Sequence, residues 1–360
     1  NGTGTLADPY ILYNCTDLQN MQYYLSSNFS LGNNIDCIDT INWNNGTGFV
    51  PIGNGSGTYK FTASFDGRGK NISNLYIYRN ISVYTPGHYY IGLFGFANKA
   101  VFKNVSLYNF TLTGSSYVGP LLGFMGYDYG LIQDIYAEST IVGGTNLGGI
   151  AGQVYNTNAT NLNSKVTISG QMYECGGACS PSMIGGIFGR QFSRQAGFLR
   201  QCSSQSTITG IYAFSQWQGS TVGGIIGSMP ESNMTLCFAN TTIFNVSSII
   251  GGLVGSTANA GLDTRISIKD SYAIGNISGT TFVGGLVANA NNLTLESSYY
   301  SGYVTYTSVS TYAKCLVGYT SDVVFNSSLY YDNQLCTYGD DKGKGLTTTA
   351  SKLQSSYVGF

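Results

Sequence analysis

The chain has 360 residues and a mass of 38.4 kDa, and only 9% of its residues are charged, against about 25% in an ordinary soluble protein. With a net charge of −1 it lacks the basic surface that binds nucleic acid or anionic membranes. The single histidine, His88, excludes His-based catalytic triads and most metal sites. The 49 glycines and 29 tyrosines favour an all-β fold.

Residues 1–88 contain one segment with helical spacing. Thr16 precedes apolar residues at positions 18, 21, 24 and 25, which predicts a short helix with Thr16 at its N-cap. We expect this helix to cover one open end of a β-structure. The segment 1–88 is therefore interpreted as a cap followed by the first turns of the fold.

Residues 89–338 repeat a glycine-rich motif. Its first glycines fall at positions 92, 119, 148, 185, 223, 251 and 284, so the period varies around a fixed unit. Clear copies are Thr221-Val-Gly-Gly-Ile-Ile-Gly227 and Ile249-Ile-Gly-Gly-Leu-Val-Gly255, and a degenerate copy, Ala313-Lys-Cys-Leu-Val-Gly318, ends the series. Variable periods predict one structural unit per repeat with loops of differing length.

A second segment follows several of these motifs and alternates β-branched with polar residues. Ile135–Gly143, Cys202–Gly210, Cys237–Phe244 and Ser271–Gly279 align without gaps. This alternation predicts short strands with one buried face. Since no helical pattern intervenes, the sequence predicts a right-handed parallel β-helix (β-solenoid), with one turn per period and about 4.8 Å between turns.

The eight cysteines are even in number and form no CxxC pair, which favours disulfides over metal or redox chemistry. Cys202 and Cys237 occupy the same position in consecutive periods. Stacking would bring their Cα atoms to about 5 Å, within reach of a disulfide. Proximity along the chain adds three predicted pairs: Cys15–Cys37, Cys175–Cys179 and Cys315–Cys336.

The last stretch, 339–360, is polar and lacks the motif. We weigh three interpretations: a second cap, a partly ordered tail, or a contact with another subunit. All three segments of the chain are expected to form one continuous solenoid domain. No apolar run approaches the length of a membrane-spanning helix, so we expect none.

N-glycosylation sequons are unusually frequent. Sixteen of the 31 asparagines lie in Asn-x-Ser/Thr, where the Ser and Thr content would give roughly 6 by chance. This excess predicts a densely N-glycosylated, secreted protein of the cell surface. The sequon asparagines are Asn1, Asn14, Asn28, Asn45, Asn54, Asn71, Asn80, Asn104, Asn109, Asn158, Asn233, Asn240, Asn245, Asn276, Asn292 and Asn326.

The repeats resemble the GLUG motif of microbial surface proteins. Upstream, Asp8-Pro-Tyr-Ile-Leu12 and Phe65-Asp-Gly-Arg-Gly-Lys-Asn-Ile-Ser-Asn-Leu75 are similar to the segment that commonly precedes GLUG repeats, and Gly345-Leu-Thr-Thr-Thr349 is similar to one that ends them. The resemblance covers roughly residues 4–350. It implies a right-handed β-helix like that of filamentous-haemagglutinin-like adhesins, and no single activity. The cysteines and sequons depart from bacterial members, and Cys315 replaces a motif glycine.

No cluster of catalytic residues emerges. Glu138 stands at the position of Gln205 and Asn240 in other turns, so that column carries no acidic ladder of the kind a glycosidase or lyase needs. Asp36 and Asp39 are close together but lack the alternating carboxylates of a calcium loop. We predict no enzyme, no cofactor and no metal.

Five tyrosines are candidates for stacking on sugars or on another subunit, the alternative being ordinary strand positions. They are Tyr127, Tyr129, Tyr299, Tyr300 and Tyr303.

The sequence thus predicts a structural surface glycoprotein. A β-helix has two unlike open ends, so copies that associate head to tail form an open fibre. Predicted partners are copies of itself, covalent N-glycans, and cell-surface glycans or anchoring proteins. The alternative is a monomeric carbohydrate-binding adhesin or a polysaccharide-acting β-helix enzyme.

Overall fold

The computed structural model describes residues 2–53, 59–81, 88–171, 182–193, 197–211, 220–246, 248–258, 265–306, 312–326, 328–339 and 342–352. These residues form a parallel β-helix, so the predicted all-β fold class is confirmed. Its strands β1–β29 are Tyr10–Leu12, Phe29–Leu31, Ile35–Asp36, Ser64–Ser73, Tyr76–Tyr78, Tyr89–Ile91, Phe94–Ala97, Val101–Val118, Leu122–Met125, Gly130–Gly148, Ala151–Tyr155, Thr157–Gly170, Met183–Gly185, Phe188–Phe192, Phe198–Ile211, Ser220–Gly223, Ile226–Ser228, Asn233–Val246, Ser248–Gly251, Val254–Ser256, Ile266–Ile274, Ile277–Gly279, Phe282–Gly284, Val287–Ser301, Val304–Tyr306, Tyr312–Lys314, Val317–Phe325, Leu329–Asp332 and Lys344–Leu346.

The turns of the coil stack in parallel register. One column of directly paired residues crosses eleven strands, from Tyr10 in β1 through Phe102 in β8 to Phe325 in β27. The inward residues of such columns, for example Phe65 and Ile132, are fully buried. Burial of these stacked apolar columns is the main favourable term in the stability of the coil.

Each turn bends sharply at one residue with a left-handed backbone. These corner residues follow one another in register and are Asn104, Asp134, Asn161, Gln201, Leu236, Asp270, Ser297 and Ser328, with φ between 43° and 75°. Asn and Asp tolerate this conformation better than other non-glycine residues. Two of the corner residues are also joined by a hydrogen bond between adjacent turns, in which Asn161 Nδ2 donates to Asp134 Oδ1 at 2.7 Å. The long strands therefore turn a corner without an intervening loop.

The second glycine of the repeated motif is required by the stacking. A Cβ at Gly252 would lie 2.0 Å from the carbonyl oxygen of Gly285 in the next turn, and a Cβ at Gly285 would lie 2.0 Å from the carbonyl oxygen of Cys315. No side chain fits this close approach. Cys315 stands at the corresponding position of the last motif copy, where it bonds to Cys336 instead.

The N-terminal helix is shorter than the sequence predicts. Helix α1 spans Cys15–Asn20, and a 3₁₀ helix over Met21–Tyr23 follows it. Its N-cap is Asn14, whose Oδ1 accepts a hydrogen bond from the backbone N–H of Asp17 at 2.9 Å, so the prediction of Thr16 was wrong. Two further 3₁₀ segments lie at Ile38–Gly46 and Ala350–Lys352.

Three disulfides join neighbouring segments: Cys15–Cys37, Cys202–Cys237 and Cys315–Cys336. These are pairs that the sequence predicts. Cys202 and Cys237 are register partners with their Cα atoms 4.5 Å apart. The predicted pair Cys175–Cys179 lies outside the described residues. In the stretch expected to be a tail or cap, β29 pairs with β28 and continues the coil.

Candidate functional site

Carboxylates on the coil pair with basic residues of neighbouring turns. Lys165 Nζ lies 2.8 Å from Glu138 Oε1, and Lys269 Nζ lies 3.1 Å from Glu296 Oε1. Arg265 Nη2 lies 2.7 Å from Asp322 Oδ1, which is two turns away. In the column of Glu138, the successive partners are Lys165, Gln205 and Asn240; the repeat alignment predicts Gln205 and Asn240, and the structure adds Lys165. Over the described ranges, no group of three or more His, Cys, Asp or Glu side chains could hold a metal ion.

The polar residues considered for chemistry take part in local hydrogen bonds. Asp36 Oδ1 accepts from the backbone N–H of Ile38 at 3.1 Å and from Asn74 Nδ2 at 2.8 Å. His88 Nδ1 lies 2.5 Å from the carbonyl oxygen of Asn80. These contacts stabilise turns at the places where the chain bends.

None of the sequon asparagines with a described side chain is buried. Asn98 and Asn146, which are buried, belong to no sequon. Asn1 and Asn54 lie outside the described residues, as does the side chain of Asn245. The exposed sequon asparagines are Asn14, Asn45, Asn80, Asn109, Asn233, Asn240, Asn276 and Asn326, and the half-buried ones are Asn28, Asn71, Asn104, Asn158 and Asn292.

The sequons leave one face of the coil free. From residue 88 onward, no sequon lies within a copy of the glycine-rich motif; eight lie between two copies, and Asn326 follows the last copy. Because the copies stack in register, they form one continuous strip, which we call the motif face. Glycans on the sequons would project from the other faces of the coil.

A contiguous group of seven aromatic rings, which we call the aromatic patch, lies at the border of the motif face: two of the rings belong to motif copies, and the other five follow a copy by one to four residues. It consists of Tyr90, Phe96, Tyr117, Phe124, Tyr127, Tyr155 and Phe192. Phe124 is buried at its centre, with ring centroids 5.1 Å from Phe96, 5.4 Å from Tyr117 and 5.6 Å from Tyr155. The patch extends over four consecutive turns of the coil.

Polar groups border the aromatic patch on its C-terminal side. The Arg190 guanidinium lies 5.5 Å from the centroid of the Phe192 ring. Burial raises the pKa of Tyr155, while the nearby Arg190 charge lowers it. Asn146 follows Tyr117 in the same column; its side chain is only 8% exposed, and its Oδ1 has no hydrogen-bond partner.

The five tyrosines selected from the sequence have different environments. Tyr127, Tyr129 and Tyr303 are exposed, and Tyr299 is half-buried. Tyr300 is fully buried, so it cannot stack on a ligand, and that expectation was wrong. Its hydroxyl donates to the carbonyl oxygen of Gly275 at 2.9 Å.

The N-terminal end of the coil exposes apolar side chains. Strand β1 pairs with β2 and, within the described part of the chain, with no other strand. Leu6 is 77% exposed. Other exposed apolar residues of this end are Tyr13, Tyr23, Tyr24, Ile38, Ile41 and Val50.

The C-terminal end also has an open edge. Strand β27 pairs with β24, and no other described strand pairs with it. Tyr319 and Val324 on this strand are exposed, as are Tyr306 and Tyr312 on the neighbouring strands β25 and β26. The two ends of the coil therefore differ in structure, and both leave apolar groups in solvent.

Sequence reasoning did not find the aromatic patch. Its members flank the motif glycines, and the aromatic residues at the first position of successive copies, Tyr90 and Tyr117, were the available signal. These rings contact one another because the turns stack, and the alignment of the repeats predicted no contact between them.

No family model matches the chain. It is 35% identical over 175 residues to halomucin of Haloquadratum walsbyi (strain DSM 16790 / HBSQ001), a match that covers 47% of this chain and 2% of halomucin. It is 29% identical over 140 residues to a protein of Evansella cellulosilytica provisionally described as a Gly-rich membrane protein, covering 38% of this chain and 15% of that protein. The chain thus spans a small fraction of these curated relatives.

Two solved structures share the fold. One is a crystal structure from Bacteroides ovatus, provisionally described as an immunoglobulin A1 protease, with a TM-score of 0.55 and 19% identity, covering 99% of this chain and 88% of that chain. The other is described as IgA1 protease, with a TM-score of 0.52 and 14% identity, covering 96% of this chain and 24% of that chain. Over the described residues, no helix is long and apolar enough to cross a membrane.

Proposed function

We propose that this chain is an extracellular, N-glycosylated structural protein of the cell surface that assembles head to tail into a fibre. The observation that carries the proposal is the pair of unlike coil ends, each with exposed apolar side chains and an open strand edge. We assign it no catalytic role.

The covalent features support an extracellular location. Three disulfides fit an oxidising compartment. The surface position of every described sequon side chain fits glycan attachment. Sequence similarity to halomucin and to a membrane protein supports a place at the cell surface. We also assign the repeats to the GLUG class, because their glycines make the close turn-to-turn contacts that define the coil.

The geometry of the ends favours an open fibre. In a parallel coil, all strands have the same direction, so β27 of one copy and β1 of the next, which end the same column, can pair without reversing direction. Repetition of such a head-to-tail contact does not close the copies into a ring, so each added copy leaves a free end and an open fibre grows. Exposed Val324 and Tyr319 on one end and Leu6 and Ile38 on the other would be buried in the joint.

Electron microscopy of the native, glycosylated protein tests the proposal. We expect fibres with an axial repeat of about 50 Å, since eleven stacked strands at about 4.8 Å give that length. Val324→Lys places a charge on the open edge of β27 and should abolish fibres. The matched control is Phe244→Lys, an exposed position on the side of the coil, which should leave fibres intact. Short single rods in the unmodified protein would overturn the fibre proposal.

Glycan occupancy is measured separately by peptide mapping before and after enzymatic deglycosylation. We expect attachment at the exposed sequons, for example Asn233 and Asn240. Unmodified asparagines at all sequons in protein from its native source would contradict the glycoprotein assignment.

A further inference from the structure

We propose that the aromatic patch and Arg190 form a binding site for an acidic polysaccharide chain that lies along the axis of the coil. This site goes beyond the structural role, because it does not require assembly into a fibre.

The shape of the patch fits a chain of sugar rings. Its rings repeat along the axis at the spacing of the turns, with centroids 5.0 Å apart for Tyr90 and Tyr117 and 5.1 Å apart for Tyr155 and Phe192. Tyr127 is 68% exposed and lies 4.5 Å from Tyr155, which extends the patch outward. The C–H faces of pyranose rings stack on aromatic faces, and tyrosine adds a hydroxyl for hydrogen bonding. Tyr127 therefore offers an exposed ring for stacking, while rings that already stack on one another, such as Tyr90 and Tyr117, present their edges along the same direction.

The charge at the border of the patch favours an acidic sugar. Arg190 is half-buried and forms no salt bridge with any described residue, and its Nε has no hydrogen-bond partner. A guanidinium in such a place pairs well with a carboxylate. The exposed carboxylate of Asp128, beside Tyr127, accepts a hydrogen bond from Asn98 Nδ2 at 2.7 Å and would repel an acidic group there, so we expect the sugar carboxylate at Arg190 and not at Tyr127.

A second polar group lacks the partner that a buried atom normally has. Asn146 is in the column of Tyr117, its side chain is more than nine-tenths buried, and Oδ1 accepts no hydrogen bond. Buried carbonyl oxygens without a partner are uncommon, because losing hydration without compensation is unfavourable. A sugar hydroxyl would supply the missing donor.

The glycans of the protein itself would leave this site accessible. The patch borders the motif face, whose copies contain no sequon, and the sequon nearest to it along the chain is the half-buried Asn158, three residues after Tyr155. Elsewhere on the coil, bulky glycans would shield aromatic pairs such as Phe238 and Tyr272, which stack at 4.4 Å close to the exposed sequons Asn240 and Asn276. This part of the argument depends on occupancy of the sequons and not on fibre formation.

Isothermal titration calorimetry with two probes tests the site on the native, glycosylated protein. The acidic probe is hexagalacturonate, and the neutral probe is cellohexaose. We expect hexagalacturonate to bind more tightly than cellohexaose. Tyr127→Ala should weaken binding of both probes about tenfold. Because the Tyr127 side chain is 68% exposed, its removal should leave the fold intact. Arg190→Gln should weaken only the binding of hexagalacturonate.

The matched control is Tyr272→Ala, which removes an exposed, stacked tyrosine from a different face and should leave both affinities unchanged. Absence of binding for both probes would overturn the proposal. An unchanged affinity in Tyr127→Ala and Arg190→Gln would also overturn it. If neither probe binds and Tyr127→Ala reduces self-association in light scattering, the patch is an interface between copies, and the sugar site is rejected.

Discussion

Cys202 and Cys237 lie directly opposite each other on consecutive turns of the coil, with their Cα atoms 4.5 Å apart and their sulfurs bonded. The bond closes a loop of 35 residues between two strands that already pair along their length. It therefore links neighbouring turns covalently in the middle of the molecule, far from both ends.

The double variant Cys202→Ala, Cys237→Ala should lower the free energy of unfolding by about 2–4 kcal/mol, because the unfolded chain regains the entropy that the cross-link removes. Urea unfolding followed by circular dichroism measures the change. Reduction of the unmodified protein serves as a control and should give a loss at least as large, since it also opens the other disulfides. Equal stability of the variant and the oxidised protein would show that the bond does not constrain the unfolded state.

Leu236 is the least suitable residue of the corner column. Its φ is 58° and its side chain is 44% exposed, so it bears the strain of a left-handed backbone without the benefit of burial. Leu236→Gly should raise the free energy of unfolding by about 0.5–1 kcal/mol, because glycine adopts positive φ without that strain. Thermal unfolding checks this, with Leu236→Ala as a control that keeps the Cβ and gains nothing. A lower melting temperature for Leu236→Gly would contradict the assignment of strain at this corner.

Two motif glycines should differ sharply in their response to alanine. At Gly252 a Cβ would lie 2.0 Å from a backbone carbonyl oxygen of the next turn, so Gly252→Ala should destabilise the coil by about 3 kcal/mol or more. At Gly255 the closest contact would be 2.6 Å, and Ala288 already occupies the corresponding position one turn later. Gly255→Ala should therefore be less harmful. Urea midpoints compare the two variants, and equal losses would contradict the stacking argument.

Because of Tyr300, the free energy of unfolding should depend on pH in the alkaline range. Burial raises the pKa of its phenol above the ordinary value of 10.0. Its contribution to stability is complete below the pKa of the unfolded chain and declines as pH rises above it, because the unfolded chain loses a proton that the folded chain retains. The Tyr300→Phe variant should thus be less stable than the unmodified protein by about 1 kcal/mol at neutral pH, because it lacks the hydrogen bond. Between pH 9 and 12, however, the stability of the variant should fall less than that of the unmodified protein. Parallel pH-dependent unfolding curves for both proteins would refute this.

The repeat predicted the register of the coil well. Aligning Glu138 with Gln205 and Asn240 gave a column that the structure contains, with Lys165 between them. The same alignment gave the contact of Cys202 with Cys237. These relations follow from period alone, because in a coil a residue's neighbours are the same positions of the adjacent repeats.

The repeat did not predict two kinds of feature: which residue caps the N-terminal helix, and which way side chains point near a bend. Asn and Thr are both residue types that commonly cap a helix N-terminus. Asn14 is the cap because the helix begins at Cys15, directly after it. Tyr299, Tyr300 and Tyr303 are similar in sequence context, yet the corner at Ser297 turns Tyr300 into the core. A shift of one residue reverses the face of a strand, so side-chain direction depends on where each bend lies.

The sequence by itself determined the parallel coil, its period and its three described cross-links, because these depend on which residues recur and at what spacing. Only the tertiary structure decided that seven rings separated by up to about a hundred residues form one patch beside Arg190. That arrangement depends on how each bend directs its side chains, and bends are fixed by packing between turns and not by the repeat itself.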